Sequence, residues 1–385
     1  MPVVQGAREV TPPDAIQGYS GPMRRLVGIA LVFAAACSGS GTEDSGGPPT
    51  LGTTPRQWVY MPVEGSKCMN GSPTGIGVNL GTSGDLVIYL EGGGACFNSS
   101  TCRSVAHPTG WGPSNFDSEI GIYNIGIFDR LDDANPLRDA TFVFVPYCTG
   151  DVHAGSNPAG MGDRQFVGYA NVGFDLDAIV PQSKNVKRVV LAGSSAGGFG
   201  ALLNYYRTQM AFGDTPVYLL DDSGPPLGDM YLAPCLQQLF RTTWNLDAAL
   251  PPDCTACRQP DGGGMTNALG YLADTFPDRR FGLITANRDG VVRSFFGYGY
   301  PDCAAGAAGN PMPEDAFAAG ITELRDQTLA SHSNFRVYTK DSGQHVWLIL
   351  ELGKVSPRSD GTGQHLSDWM SEMLDPDAEW NSVKP

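Results

Sequence analysis

Residues 189–200 read Val-Val-Leu-Ala-Gly-Ser-Ser-Ala-Gly-Gly-Phe-Gly, and this stretch decides the fold. The run that leads into it, Val186 to Leu191, ends in apolar, β-branched residues that are typical of a central strand in a parallel sheet. Apolar residues such as Leu202 and Tyr205 follow it, which favours a buried helix. Ser195 stands between these two elements in a Gly-x-Ser-x-Gly pattern. The stretch therefore predicts a strand, a sharp turn that carries a serine, and a helix.

A serine on such a turn has a known chemical use. An α/β-hydrolase presents its nucleophilic serine on a tight strand-to-helix turn. Gly193 and Gly197 fit this arrangement, because so sharp a turn leaves no room for side chains beside the backbone. The sequence predicts Ser195 as a nucleophile, and a structural turn without catalysis is the alternative.

Further strand and helix candidates surround this turn. The strands are predicted over Asp85–Leu90, Thr141–Pro146, Val217–Leu220, Phe281–Ala286 and Phe335–Thr339, and the helices over Ala196–Thr208, Ala316–Ser331 and His365–Leu374. Such alternation predicts an α/β fold that is α/β-hydrolase-like, with a mostly parallel central sheet and helices on both faces. Residues 229–274 contain several Cys and Pro and are predicted to form a disulfide-stapled loop or cap insertion. No repeat or linker divides residues 57–371, so residues 56–385 are predicted to be a single catalytic domain.

The base that a serine hydroxyl needs is predicted near the end of the chain. Active groups in α/β folds collect beyond the carboxyl ends of the strands, and hydrolases of this kind keep the chain order Ser, Asp or Glu, His. His345 satisfies both rules, since it follows the last predicted strand. The other histidines fit less well: His107 and His153 precede the serine, His332 precedes the strand, and His365 begins the terminal helix region. His345 is the predicted base, and a surface-loop histidine is the alternative.

Two aspartates are candidates for the acid that orients this histidine. Asp289 follows the strand Phe281–Ala286, and Asp222 follows the strand Val217–Leu220. The commoner place is beyond the strand that precedes the histidine strand, which selects Asp289. Its role would be to hold the imidazole tautomer and stabilise the imidazolium. Asp222 is the alternative acid, or else an acceptor for backbone N–H groups in a turn.

A glycine run follows the first predicted parallel strand. Residues 91–95 read Glu-Gly-Gly-Gly-Ala. Lipases and esterases use such a run to donate backbone N–H groups to an oxyanion, together with the residue after the nucleophile, here Ala196. Glu91 is interpreted as a hydrogen-bonding support. A phosphate-cradling loop is disfavoured, because no Lys-Ser or Lys-Thr follows the run.

The front of the chain has the features of an export signal. A basic start at Met23 precedes an apolar run, residues 26–36, which is too short to span a bilayer and ends in three alanines. We interpret residues 1–36 as an upstream extension and signal peptide, and residues 37–55 as a flexible tether. Cys37 resembles a bacterial lipoprotein acceptor, and ordinary cleavage before it is the alternative. The protein is expected to be exported, either as a lipoprotein of the bacterial cell envelope or as a secreted or periplasmic protein.

Eight cysteines follow Cys37: Cys68, Cys96, Cys102, Cys148, Cys235, Cys254, Cys257 and Cys303. An even number in an exported chain predicts disulfides. The Cys-x-x-Cys pair at 254 and 257 has no second Cys or His pair at metal spacing, so we expect no metal site. The net charge of −15 argues against a nucleic-acid partner.

Several blocks, in order, resemble the pectin acetylesterase/Notum family of carboxylesterases. They are Leu-Glu-Gly-Gly-Gly-Ala-Cys-Phe-Asn at 90–98, Val-Pro-Tyr-Cys-Thr-Gly-Asp at 145–151, Gly-Ser-Ser-Ala-Gly-Gly at 193–198, Asp-Ser-Gly at 222–224, and His345. The resemblance covers about residues 57–350. Animal members have tryptophan where Gly94 stands, and some members have cysteine where Val346 follows the histidine, so pocket walls and staples are expected to differ.

The resemblance implies hydrolysis of O-acyl esters on carbohydrate or protein, with no metal or other cofactor. It supports Ser195 as nucleophile, Asp289 as acid and His345 as base. It places the oxyanion donors at Gly93, Gly94 and Ala196. It also implies the disulfides Cys96–Cys102 and Cys68–Cys148, and leaves three possible pairings for the remaining four cysteines.

Three functions are compatible with these observations. The first is a secreted or lipid-anchored serine carboxylesterase that removes a short acyl group, acetyl by expectation, from a polysaccharide. The second keeps this chemistry with a longer acyl chain or a small ester. The third is a non-catalytic carbohydrate-binding surface lipoprotein, in which one of the three catalytic side chains would point away from the others. A membrane contact is expected only through a lipid on Cys37, and the oligomeric state is left open.

Overall fold

The computed structural model describes residues 51–52, 54–119, 124–303, 310–350 and 363–385. Its strands are β1 (Trp58–Lys67), β2 (Pro73–Asn79), β3 (Asp85–Leu90), β4 (Thr141–Val145), β5 (Asn157–Met161), β6 (Arg164–Phe166), β7 (Arg188–Ser194), β8 (Val217–Asp222), β9 (Phe281–Ala286) and β10 (Phe335–Lys340). Its α-helices are α1 (Pro113–Glu119), α2 (Gly168–Ile179), α3 (Ala196–Phe212), α4 (Pro234–Trp244), α5 (Asn267–Thr275), α6 (Gly290–Phe296), α7 (Glu314–Glu323) and α8 (Leu366–Leu374).

An eight-stranded sheet organises these elements in the order β1-β2-β4-β3-β7-β8-β9-β10. The six strands from β4 to β10 in this order run parallel to their neighbours. Strands β1 and β2 are antiparallel and close one edge. The predicted fold class, α/β-hydrolase-like with a mostly parallel central sheet, is confirmed. Parallel strands place their carboxyl ends at one edge of the sheet, so the loops after β3, β7, β8, β9 and β10 meet there.

Alternate residues of the parallel strands enter two separate cores. In β7, Val189 and Leu191 pack into the core that contains residues of α3. Val190 and Ala192, from the same strand, pack into the core that contains Trp369 of α8. This period-two alternation is what a strand covered on both faces requires. The predicted helices on both faces are therefore present.

The edge hairpin β1–β2 was not predicted from the sequence. Strand β2 reads Pro-Thr-Gly-Ile-Gly-Val-Asn, and proline and glycine normally interrupt a strand. A Cβ on Gly75 would overlap the carbonyl oxygen of Met61 in β1, so the glycine allows the two backbones to approach. The predicted helix 316–331 also differs, because α7 ends at Glu323 and continues as a π-helical segment, Leu324–Thr328.

The predicted insertion lies between β8 and β9 and contains α4, α5 and two short 3₁₀ turns, Leu246–Ala248 and Thr255–Cys257. Cys254 and Cys257 form a disulfide within it, and Cys235 pairs with Cys303. The structure also contains the disulfides Cys68–Cys148 and Cys96–Cys102, the two pairs that the family resemblance implies. One of the three pairings that the sequence left open is thereby selected.

Part of the sequence interpretation concerns residues outside the described ranges. These include the signal peptide, Cys37 and most of the tether at 37–55, which therefore stay predictions. Every described residue belongs to one compact unit, residues 47–385. Within the described ranges, no helix combines the length and apolar character that crossing a bilayer demands.

Candidate active site

Ser195 lies on the turn between β7 and α3 with φ 60° and ψ −121°. Non-glycine residues rarely adopt this conformation, and it persists only where the surroundings impose it. The neighbouring glycines explain how they do so. A Cβ on Gly193 would overlap the carbonyl oxygen of Gly197, and a Cβ on Gly197 would overlap that of Leu90 in β3. The serine is thus held at the carboxyl edge of the sheet by backbone packed directly on backbone.

His345 and Asp289 form a hydrogen-bonded pair at the same edge. The Nδ1 atom of His345 lies 2.7 Å from Oδ2 of Asp289. The side chain of Asp289 is fully buried, and the side chain of His345 is 17% exposed. The other oxygen of Asp289 accepts hydrogen bonds from the N–H groups of Val291 (2.9 Å) and Val292 (3.0 Å), so the carboxylate also caps α6. A carboxylate fixed in this way orients the imidazole and leaves its Nε2 atom for another partner.

The alternative acid, Asp222, has different partners. Its Oδ2 atom accepts hydrogen bonds from the N–H groups of Trp347 (2.8 Å) and Leu348 (2.9 Å). It is the last residue of β8 rather than part of a turn. The geometry therefore favours Asp289 over Asp222 as the acid that orients His345.

The glycine run supplies backbone donors beside Ser195. Gly93 (φ 151°) and Gly94 (φ 84°) both have positive φ angles, and a Cβ on Gly93 would overlap the side chain of Ala106. Their carbonyl oxygens accept hydrogen bonds from Ala106 N–H and the Tyr147 hydroxyl, each at 2.9 Å. No described residue accepts a hydrogen bond from the N–H groups of Gly93, Gly94 or Ala196. Such unbonded donors are what an oxyanion site requires.

Glu91 supports this loop through two hydrogen bonds. One carboxylate oxygen accepts a hydrogen bond from Tyr147 N–H at 2.8 Å, and its carbonyl oxygen lies 2.8 Å from Nε2 of His153. His153 is buried, and its ring packs on Tyr147 with 4.8 Å between centroids. The oxyanion loop is thus anchored through both the side chain and the main chain of Glu91.

His153 should make stability depend on pH. Burial lowers the pKa of His153 from 6.5 to about 4, against the opposing effect of its hydrogen bond to Glu91. Between these values the unfolded chain binds a proton that the folded protein excludes, so this residue reduces the free energy of unfolding as pH falls. A gap of this size corresponds to about 3 kcal/mol. We expect His153→Gln to lack this loss in urea unfolding at pH 7.5, 5.5 and 4.5. A difference between the two proteins that is independent of pH would contradict the assignment.

Two cavities meet at Ser195. The first is apolar and narrow, with a cavity volume of about 50 Å³. Gly94, Ser195 and Ala196 line it, together with Phe199, Phe240, Trp244, Leu246, Met265 and Phe295. The second is an open cleft that Ser195 and His345 line together with Gly93 and Gly94. The site can therefore separate an apolar substrate group on one side of the serine from a group held in the cleft.

His107 is a cleft residue that the sequence did not reveal, because it precedes the serine in the chain. Its Nε2 atom lies 3.3 Å from the Glu91 carboxylate, and its Nδ1 atom lies 3.7 Å from that of Glu119. Burial lowers the pKa of His107, but the hydrogen bond and charges of the two carboxylates outweigh this and raise it above its usual value. Nothing in the local pattern around residue 107 indicates this position. The described residues contain no group of three or more His, Cys, Asp or Glu that could hold a metal ion.

Comparisons with known proteins agree on one family of esterases. The family model described as Pectinacetylesterase matches residues 54–264, more than half of the chain. Palmitoleoyl-protein carboxylesterase notum1a of Danio rerio is 33% identical over 141 residues, which are 36% of this chain and 28% of that protein. Palmitoleoyl-protein carboxylesterase NOTUM of Mus musculus is 31% identical over 166 residues, 41% of this chain and 33% of that protein.

A plant protein is similar over a longer stretch. Pectin acetylesterase 4 of Arabidopsis thaliana is 28% identical over 212 residues, which are 51% of this chain and 51% of that protein. The chain thus spans between about a quarter and a half of the length of these curated relatives.

Proposed function

Because the chain belongs to the pectinacetylesterase family, we propose that it is a serine carboxylesterase that hydrolyses O-acyl esters. The observation that supports this best is the 2.7 Å hydrogen bond between His345 and the buried Asp289, in a loop that lines the same cleft as Ser195. The non-catalytic alternative requires one of the three side chains to point away. The hydrogen bond argues against this for His345 and Asp289, and the shared cleft argues against it for Ser195.

In the proposed mechanism, the oxygen of the Ser195 hydroxyl attacks the ester carbonyl carbon while Nε2 of His345 takes the hydroxyl proton. The negative charge that develops on the carbonyl oxygen is stabilised by the N–H groups of Gly93, Gly94 and Ala196. Collapse of the tetrahedral intermediate breaks the bond to the alcohol oxygen, which receives the proton from the imidazolium. Water, deprotonated by His345, then attacks the acyl-enzyme carbonyl carbon. The bond to Ser195 Oγ breaks, the imidazolium returns the proton to that oxygen, and the carboxylic acid is released. Asp289 accepts the hydrogen bond from Nδ1 of His345 and stabilises the imidazolium.

The acyl group is proposed to occupy the apolar cavity. Five aromatic residues line it, Phe199, Phe240, Trp244, Phe295 and Phe296, and an acetyl methyl group would contact few of them. Each methylene group buried contributes about 0.8 kcal/mol. We therefore favour an acyl chain with several methylene groups. The acetyl ester is the second candidate, which the family description and the name of the plant relative favour.

A series of p-nitrophenyl esters from acetate to decanoate distinguishes these acyl groups. We expect kcat/KM for octanoate to exceed that for acetate by about tenfold or more, because added methylenes enter the cavity. Leu246→Trp should fill part of it and lower kcat/KM for octanoate while leaving acetate within about twofold. Leu239→Trp, on the exposed face of α4, is the matched control and should change neither value. An optimum at acetate that Leu246→Trp does not alter would favour the acetylesterase.

The other half of the substrate is proposed to be a carbohydrate or a small alcohol held in the open cleft. Glu91, His107 and Glu119 line this cleft and offer hydrogen-bonding groups to hydroxyls. The four disulfides favour an oxidising compartment, so we also propose that the protein is exported. Anchoring through a lipid on Cys37 is part of this proposal, and mass spectrometry of the native N-terminal peptide tests it.

A further inference from the structure

Asp222 occupies a buried position between the serine and the histidine. It is the last residue of β8, directly opposite Ser194, the last residue of β7. Its carbonyl oxygen accepts the N–H of Ser195 at 2.7 Å, and its side chain has no exposed surface. The mechanism described above gives this carboxylate no role.

The carboxylate of Asp222 receives four hydrogen bonds. Two come from hydroxyl groups, Ser194 Oγ at 2.7 Å and Ser223 Oγ at 3.0 Å. The other two come from the N–H groups of Trp347 at 2.8 Å and Leu348 at 2.9 Å. Burial raises the pKa of Asp222, and these four hydrogen bonds oppose that rise. One oxygen, Oδ2, therefore joins the residue before the nucleophile to the loop that carries the base.

Ser223 extends this connection toward the histidine. Its Oγ atom accepts a hydrogen bond from Val346 N–H at 3.2 Å. The three N–H groups that directly follow His345 are thus all held by the pair Asp222–Ser223, which we call the clamp. Two backbone hydrogen bonds hold the loop on the other side of His345. The N–H of Arg288 donates to the Ser342 carbonyl oxygen at 3.1 Å, and the N–H of Gly290 donates to the Gly343 carbonyl oxygen at 3.2 Å.

The backbone at Val346 shows why the loop needs the clamp. Its φ angle is 60°, in the left-handed region that a β-branched residue strongly disfavours. Such a conformation persists only when surrounding contacts over-determine it. Without the clamp, we expect the Val346 backbone to adopt a lower-energy, negative φ angle, and this rotation would move the adjacent His345.

We propose that Asp222, together with Ser223, is a positioning residue that fixes His345 in reach of Ser195. This inference rests on the proposed function and assigns the clamp no contact with the substrate. Misplacing a catalytic group by about 1 Å can cost about 10²-fold in rate. We therefore expect Asp222→Ala to lower kcat about 100-fold and to leave KM within about threefold, because the acyl cavity and the oxyanion donors are unchanged.

Asp222→Asn is the conservative variant that separates positioning from other effects. Its carboxamide oxygen can accept from Trp347 and Leu348, and its NH₂ group can donate to Ser223 Oγ. We expect it to restore kcat to within about tenfold of wild type. The midpoint of the kcat/KM profile against pH should be unchanged in both variants, since Asp289 still holds the imidazole.

Asp175→Asn is the matched control. This aspartate is also buried, but it accepts a hydrogen bond from Ser66 Oγ and lies outside the clamp, so its kcat should equal that of wild type. Rates are measured with a p-nitrophenyl ester and referred to the folded fraction from near-UV circular dichroism. A wild-type kcat in Asp222→Ala, or equal losses in Asp222→Ala and Asp222→Asn, would overturn the proposal.

Two further variants keep the test decisive. If Asp222→Ala does not fold, Ser223→Ala decides: a loss of kcat of about tenfold with unchanged KM supports the clamp, and a wild-type kcat overturns it. Ser195→Ala is assayed in parallel. If it retains turnover, the proposed function itself fails. If it is inactive while Asp222→Ala is fully active, only the positioning role fails.

Discussion

Replacement of Ser195 by alanine is expected to lower kcat for p-nitrophenyl esters by at least about 10⁴-fold. Loss of the hydroxyl removes the only route to an acyl-enzyme, and the oxyanion donors alone leave a small residual rate over water. The fold should be retained, because the turn is held by backbone contacts around Gly193 and Gly197 rather than by the serine side chain. The thermal midpoint is therefore expected to stay within a few degrees of wild type.

Ser183→Ala is the matched control for this measurement. Its hydroxyl donates to the Ile179 carbonyl at 2.9 Å and lies before the start of β7, at the opposite end of that strand from Ser195. Its kcat should equal that of wild type. A Ser195→Ala protein that keeps more than about 1% of the rate would mean that another group is the nucleophile.

Asp289→Asn is expected to lower kcat by about 10³- to 10⁴-fold, as comparable changes do in other serine hydrolases. The carboxamide oxygen can still accept from Val291 and Val292 and cap α6, so its NH₂ group faces Nδ1 of His345. Nδ1 must then accept, which puts the imidazole proton on Nε2. A protonated Nε2 atom cannot take the proton of Ser195, so the loss is in kcat and follows from the wrong tautomer.

The same substitution at Asp222 gives the sharpest comparison. Both aspartates are fully buried, Asp222 at the end of β8 and Asp289 in the loop after β9. Both become asparagine, yet we expect a loss within about tenfold at Asp222 and a far larger one at Asp289. Steady-state kinetics from pH 6 to pH 9 on the two proteins measures this difference. Equal losses at the two positions, or the larger loss at Asp222, would mean that the acid has been assigned to the wrong residue.

The sequence predicted the centre of the fold because the relevant signals are local. Strands β3 and β9 begin and end where predicted, since each is a short apolar run between breakers. Ser195 is recognisable from the glycines that its turn requires. His345 and Asp289 were selected by chain order and by their place after a strand, a rule that needs no knowledge of contacts.

The remaining features depend on contacts between residues far apart in the chain. Asp222 and Trp347 are separated by 125 residues, and nothing in either segment signals their hydrogen bond. The apolar cavity is lined both by cap residues such as Trp244 and Met265 and by residues of α6, so its shape depends on how the insertion folds. This is why the acetyl group expected from the sequence differs from the longer chain that we propose from the cavity lining.

The loop that carries His345, held by the clamp, also has a consequence for biosynthesis. Its supports come from the ends of β8 and β9, and it follows β10, the strand at the far edge of the sheet. A ribosome makes Ser195 and Asp289 well before it makes the imidazole that would activate them. If the proposed mechanism holds, the growing polypeptide is inert toward esters until β10 has been made and has paired with β9. During refolding, turnover is accordingly expected only in molecules in which β10 has paired with β9.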